Sequence, residues 1–295
     1  MTRAALIILL VASAALANQD EEFFDAWWAA AGSSPSSWSP ADLGAQLWRW
    51  YEADPFYMLG PAGNPTQLLD KAGTAYSLAV TNPAAAPAYA VDTNGVGFLL
   101  LGAGADAYRS YASPVPEVGI DFSVLLVFSP TDTVVSTTPA AGIAFATNNS
   151  APGRAAIVTG NGSSSWTGER ITLYSAISTD VRGYGCTNDL TTEFGGHLWM
   201  NTGTNQNNIQ YYYNGQTRYL NKSASGIGHF TTNNYPARWN AMGLLSGTAT
   251  RFCALVVCTG RLSAADADRI TGWAAHRWGF EADLPEGHPY RLSPP

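Results

Sequence analysis

Eight short apolar runs, most of them closed by glycine, proline, asparagine, serine or threonine, constrain this chain more than any other feature. They are "FSVLLVFSP" (122–130), "AAGIAFAT" (140–147), "RAAIVTG" (154–160), "RITLYSA" (170–176), "GHLWMNTG" (196–203), "NIQYYYNGQ" (208–216), "RWNAMGLLS" (238–246) and "RFCALVVCTG" (251–260). Their length and their β-branched and aromatic content predict strands, and the turn residues between them predict antiparallel connections. An apolar opening strand, "LWRWYEAD" (47–54), precedes them. The expected fold is all-β, a sandwich or jelly roll. No repeat of 20–50 residues is visible, which argues against a solenoid or propeller. At 295 residues the chain can bury a large core.

The exception is "RLSAADADRITGWAAHRWGFEADLPEGHPY" (261–290). Ser263 can cap a first turn with Asp266 three residues on. Asp266 and Asp268 suit the positive end of a helix dipole, and His276 and Arg277 the other end. Ala267, Ile270, Ala274 and Trp278 form one apolar stripe, and Gly279 is a natural stop. At the other terminus, "MTRAALIILLVASAALANQ" supports two readings. It fits a signal peptide cut after Ala17. It also fits an uncleaved anchor, in which residues 3–31 form one helix of about 40 Å. Its apolar run, Ala4 to Ala17, is short of the roughly 20 residues that span a bilayer. The expected organisation is a hydrophobic helix over 1–31, a Ser/Pro-rich linker over 32–44 and one domain over 45–295.

Only 13% of the residues are charged, about half the usual share. Neutral polar residues must therefore cover the surface, which suits an extracellular or virion protein. The net charge of −7 argues against a nucleic-acid partner, because phosphate binding needs a basic face. Lys71 and Lys222 are the only lysines, and Cys186, Cys253 and Cys258 make no disulfide framework. Cys253 and Cys258 lie five apart on an expected strand and should face opposite ways; buried free thiols are expected, with a pairing of one of them to Cys186 as the alternative. No cysteine or histidine spacing suggests zinc.

The closing stretch, with Arg277-Trp278-Gly279 followed by Leu284, Pro285, His288, Pro289 and Tyr290, resembles the ending of concanavalin A-like, laminin-G-like jelly rolls of phage and bacterial surface proteins. "LWRWYEAD" resembles the opening strand of that family, "LLDKAG" (68–73) its turn and "NGVGFLLLGAGADAY" (94–108) its next strand pair. "FSVLLVFSP" resembles the strand that follows, and "YYYNGQ" the hairpin that ends in "NG". The resemblance covers about residues 45–295. It implies a concanavalin A-like jelly-roll β-sandwich with an N-terminal helix and a C-terminal capping helix. One departure is that Leu100 and Leu101 precede Gly102 where the family often has an aspartate, so any polar role of that aspartate is not carried over.

Catalytic patterns are weak. Paired carboxylates suited to glycoside hydrolysis do not occur, and Glu117, Glu169 and Glu193 read as solvated loop residues. No G-x-S-x-G elbow is present. Asp266 and Asp268 face different ways on a helix and do not make a metal pair. His197 and His229 sit beside glycines in loop-like settings, while His276 and His288 belong to the closing signature; none is expected to be catalytic. Calcium has Asp92, Asp180 and Asp189 as candidate ligands, but none lies in a ligand-like loop, and no cofactor is expected.

Carbohydrate contact uses flat aromatic faces beside amides. "NGSSSWTGER" (161–170) offers Trp166, and "HLWMNTGTNQNNIQYYYNG" (197–215) offers Trp199, Tyr211, Tyr213, Asn205 and Asn207. Strand alternation sends Tyr211 and Tyr213 to one face and Tyr212 to the other, so at most two of the three can be exposed. The expected function is a non-enzymatic virion surface protein (a capsid decoration, head spike or tail component) that adheres to host polysaccharide or cements neighbouring virion subunits. A homo-oligomer or larger assembly is expected. The alternatives are a secreted bacterial carbohydrate-binding protein and a glycan-cleaving enzyme.

Overall fold

The computed structural model describes residues 38–295, apart from 62, 74–76, 81, 102–107, 111–120, 131–139, 147–153, 160–170, 178–179, 187–193, 203–207, 219, 223–240 and 246–249. The segment 1–31 therefore lies outside the described residues. Trp38 begins the described unit. The segment Pro40–Gln46, assigned from the sequence largely to the linker, is a 3-10 helix that buries Pro40 and Leu43. Its first turn is closed by Ser39 and Asp42 in a reciprocal capping box, with proline at the start where no amide hydrogen is needed.

The strands, in chain order, are β1 (Leu47–Glu52), β2 (Met58–Leu59), β3 (Gln67–Leu68), β4 (Leu78–Val80), β5 (Ala88–Val91) and β6 (Gly97–Leu101). There follow β7 (Tyr108–Ser110), β8 (Phe122–Pro130), β9 (Ala140–Ala146), β10 (Arg154–Thr159), β11 (Ile171–Ile177) and β12 (Asp180–Cys186). The last six are β13 (Gly195–Asn201), β14 (Gln210–Tyr213), β15 (Gln216–Arg218), β16 (Leu220–Lys222), β17 (Ala241–Leu245) and β18 (Thr250–Thr259). All eight expected runs form strands. The short strands β2, β3, β4, β5, β15 and β16 and the seven-residue β12 are not among those runs; in β12, "DVRGYGC" carries two glycines that dilute its pattern. One sheet runs β15-β14-β13-β8-β18-β6-β5, with β1 also paired to β18; the other runs β16-β12-β11-β10-β9-β17-β7-β4-β3-β2. Every pairing is antiparallel among the described strands.

The central strands of the first sheet, β8, β13 and β18, are buried on both faces. Its inner face gives Tyr51, Leu99, Phe122, Val124, Trp199 and Leu255 to a core shared with Leu68 and Leu78 of the second sheet. Its outer face gives Trp50, Leu125, Val127, Leu198 and Val256 to a second core beneath helix α1 (Ala264–Trp278). β18 is therefore apolar at nearly every position, because alternate residues serve different cores. A bulge between Phe252 and Ala254 turns Cys253 outward, so Cys253 and Cys258 join the same outer core. This corrects the expectation of opposite faces: the extra residue breaks the period of two. Both thiols are free and buried.

Ser263 caps α1 by accepting the Asp266 amide at 3.1 Å, and Gly279 ends the helix with φ 73°. Thr271, Gly272, Trp273 and Ala275 are buried as well as the expected stripe. The buried surface is wider than a one-sided helix needs, because the C-terminal tail covers a second side. A Cβ on Gly272 would lie 2.5 Å from the Cβ of Tyr290, so only glycine admits the tail there. His276 donates from Nε2 to the Tyr290 carbonyl at 2.8 Å. His288 packs over Gly215, whose φ of 72° follows Asn214 at 47° in a two-residue hairpin turn between β14 and β15.

Candidate functional site

Three side-chain clusters have the polar character a site needs. The first lies inside the sandwich. Strand alternation on β13 and β14 turns His197, Trp199, Tyr211 and Tyr213 inward together. Their rings stack, with centroids 4.8 Å apart for Trp199 and Tyr211 and 4.9 Å for His197 and Tyr213. Trp199 and Tyr211 are fully buried and Tyr213 is 5% exposed. These three sugar-contact candidates therefore offer no face to a ligand in solvent. Trp166, Asn205 and Asn207 lie outside the described residues.

His197 is on a strand and fully buried, not in a loop. Its Nδ1 is 2.7 Å from the Tyr211 hydroxyl, and its Nε2 has no hydrogen-bond partner among the described residues. Burial pushes its pKa down to about 3, so the imidazole is neutral at pH 7. General acid–base work favours a group that titrates near the working pH, and His197 is far from it.

The second cluster joins both ends of the domain. Arg277, at the end of α1, lies 2.6 Å from Glu52 and 3.3 Å from Asp54, just beyond β1. Lys71 reaches the same two carboxylates at 3.2 and 3.3 Å, with its ammonium over the rings of Trp50 and Tyr57. Trp50 Nε1 donates to Glu52 at 2.6 Å. Burial alone would raise the Glu52 pKa, but Arg277 and Lys71 together hold it below the usual range. Two cations facing two carboxylates leave little net charge for a ligand, so this cluster is a clasp. It accounts for the arginine of the Arg277-Trp278-Gly279 tripeptide and for the lysine of the "LLDKAG" turn. Asp92 is likewise structural: its carboxylate accepts the amides of Asn94 and Val96 in the β5–β6 turn. Among the described residues, no three of His, Cys, Asp and Glu are grouped to hold a metal.

The third cluster is on the outer face of β14. Tyr212 points opposite to its two neighbours and is half-buried, as is Gln210 two residues earlier. The Tyr212 hydroxyl donates to Gln210 Oε1 at 3.0 Å, and exposed Arg261, in the link from β18 to α1, donates to the same oxygen. An arginine can only donate, which fixes the amide with its oxygen toward Arg261 and its nitrogen free. Thr217 of edge strand β15 is exposed directly across from Tyr212. The result is a shelf with an aromatic body, an amide, a hydroxyl and a guanidinium. Period-two alternation already separates Tyr212 from its neighbours in the sequence. Arg261 carries no local signal, because it is 51 residues from Gln210 and arrives only through the sheet.

No family model and no curated protein sequence matches the chain. Solved structures do. The receptor-binding domain of botulinum neurotoxin D is similar with a TM-score of 0.50 and 12% identity, covering 79% of this chain and 53% of that one. The serotype D ligand-binding domain in complex with N-acetylneuraminic acid gives a TM-score of 0.51 at 11% identity, covering 79% and 52%. The receptor-binding domain of the C/D mosaic serotype gives 0.50 at 10%, covering 77% and 51%. The chain thus spans about half the length of these domains. At such identities the likeness is one of fold: a mainly β, antiparallel, concanavalin A-like architecture.

Proposed function

We propose that this chain is a non-enzymatic, concanavalin A-like jelly-roll module that binds carbohydrate on the surface of a phage or phage-like particle. The observation that carries the reading is the outer-face shelf of Tyr212, Gln210, Thr217 and Arg261. An aromatic body beside preset hydrogen-bonding groups is the chemistry that orients a sugar ring. Similarity of fold to receptor-binding domains, one of them seen with N-acetylneuraminic acid, supports the same reading. The low-charge composition and the resemblance of both ends of the 45–295 domain to jelly rolls of phage and bacterial surface proteins are consistent with the virion setting. In that setting residues 1–31 serve as the anchor, and the partners are host polysaccharide and other virion subunits.

A glycan array probed with the full chain tests the binding. Replacement of Tyr212 by Ala should weaken binding at least about 5-fold, the scale of one aromatic contact. Absence of binding to every glycan, with tight binding to a capsid or tail subunit, would replace adhesion by cementing. Release of reducing ends from a bound polysaccharide would restore the enzyme reading. Ala15-Leu16-Ala17 before Asn18 favours a second setting, secretion after cleavage. Intact mass of the protein from its source separates the two: loss of residues 1–17 removes the anchor.

A further inference from the structure

We infer that the β14 shelf selects saccharides that carry a carboxylate, with Arg261 and the Gln210 amide nitrogen as its recognition groups. This rests on the carbohydrate-binding reading above and names the ligand class for that same site. The argument is a donor and acceptor count. Gln210 Oε1 already accepts from both Tyr212 and Arg261, so the acceptor that the amide would offer a sugar hydroxyl is occupied. What the amide and the guanidinium leave open is a set of donors, the two amide hydrogens of Gln210 and the other guanidinium hydrogens of Arg261, while the Tyr212 and Thr217 hydroxyl oxygens can still accept. A surface that presents donors and one formal positive charge fits a ligand rich in acceptors and negatively charged. A planar carboxylate matches the guanidinium fork in shape as well as charge.

The surroundings leave Arg261 available. Among the described residues its only hydrogen-bond partner is the neutral Gln210, whereas Arg49 faces Asp70, Lys71 and Arg277 face Glu52 and Asp54, and Arg269 faces Asp266. Arg218 and Arg251 lie over the rings of Tyr213 and Phe98, and Arg291 donates to a backbone carbonyl. Asp266, at the start of the same helix, is engaged by the Ser263 hydroxyl and by Arg269. The hydrogen bond holds the guanidinium at the same Gln210 oxygen that takes the Tyr212 hydroxyl, so less side-chain freedom is lost on binding. The net charge of −7 is screened beyond about 8 Å at physiological salt, so a local cation governs a contact ligand.

The test uses the full chain and two matched ligand pairs: an oligogalacturonide against its fully methyl-esterified form, and N-acetylneuraminyl-lactose against lactose. At 50 mM salt the acidic member of at least one pair should bind at least 10-fold more tightly than its neutral partner. That ratio should shrink at 1 M salt. Arg261→Gln should abolish the preference while keeping the thermal midpoint. Gln210→Glu, which replaces the amide donors with a carboxylate, should abolish it as well. Equal affinity within both pairs overturns the selectivity and leaves carbohydrate binding standing. An acid preference that survives Arg261→Gln overturns the assignment to this shelf. No binding to any of the four ligands or to an array overturns the carbohydrate reading itself, and the selectivity with it.

Discussion

His197 shows how one residue can tie the stability of the domain to pH. Its folded pKa of about 3 lies below the ordinary 6.5, so the unfolded chain binds the extra proton between those values. Stability therefore falls as pH drops from about 6.5 toward 3, by up to about 1.4 kcal/mol per pH unit. His197→Phe keeps a ring in the stack and removes the titration, so the slope of thermal midpoint against pH should flatten over that window. An unchanged slope would mean that His197 is not neutral in the fold. Glu52 acts in the same direction at lower pH: its depressed pKa gives stability that is full above about 4.5 and lost as pH falls through the folded value. Gly272 is a second residue-scale case. Alanine is favoured over glycine within helices by about 1 kcal/mol, yet Gly272→Ala should lower the thermal midpoint, because its Cβ would meet Tyr290 at 2.5 Å. In a Tyr290→Ala background the same substitution should become neutral or stabilising, which a double-mutant cycle reads directly.

At the scale of elements, the end of α1 is held to the end of β1 by the Glu52, Asp54, Lys71 and Arg277 clasp. Removing Arg277 leaves Glu52, 1% exposed, with Lys71 as its one cationic partner among the described residues. Breaking a fully buried pair costs about 3–5 kcal/mol. Arg277 is about a third exposed, which reduces the expected loss for Arg277→Met to about 2 kcal/mol, measured by denaturant unfolding. Arg277→Lys should recover only part of it, since an ammonium is more strongly hydrated than a guanidinium and costs more to bring against the buried Glu52. Equal stability of all three proteins would show the clasp to be incidental. The helix and most of the strands were legible in local pattern. The bulge that puts Cys253 and Cys258 on one face was not, because a bulge is set by the register of neighbouring strands.

At the scale of the whole molecule, β1 and β18 pair across some two hundred residues, Leu47 opposite Cys258 and Glu52 opposite Ala254. Such distant pairing makes refolding slow, on the order of milliseconds to seconds. The tail then closes the structure, with Phe280, Leu284 and His288 buried against the helix and hairpin. Truncation after Gly279 should lower the midpoint of a single cooperative transition. A separate, earlier transition in the full chain would instead make the tail an independent strap.

Local chemistry was enough to mark the strands, the caps of α1 and the closing signature, because hydrophobic period, turn residues and capping act within a few residues of one another. The same alternation separated Tyr212 from Tyr211 and Tyr213. Tertiary structure alone decided which of those faces was the core: Trp199, Tyr211 and Tyr213 are covered by a sheet that local pattern cannot place. It alone brought Arg261 to Gln210 and Arg277 to Glu52, partners 51 and 225 residues apart. Contacts of that range follow from strand order and register, which belong to the whole chain and to no segment of it.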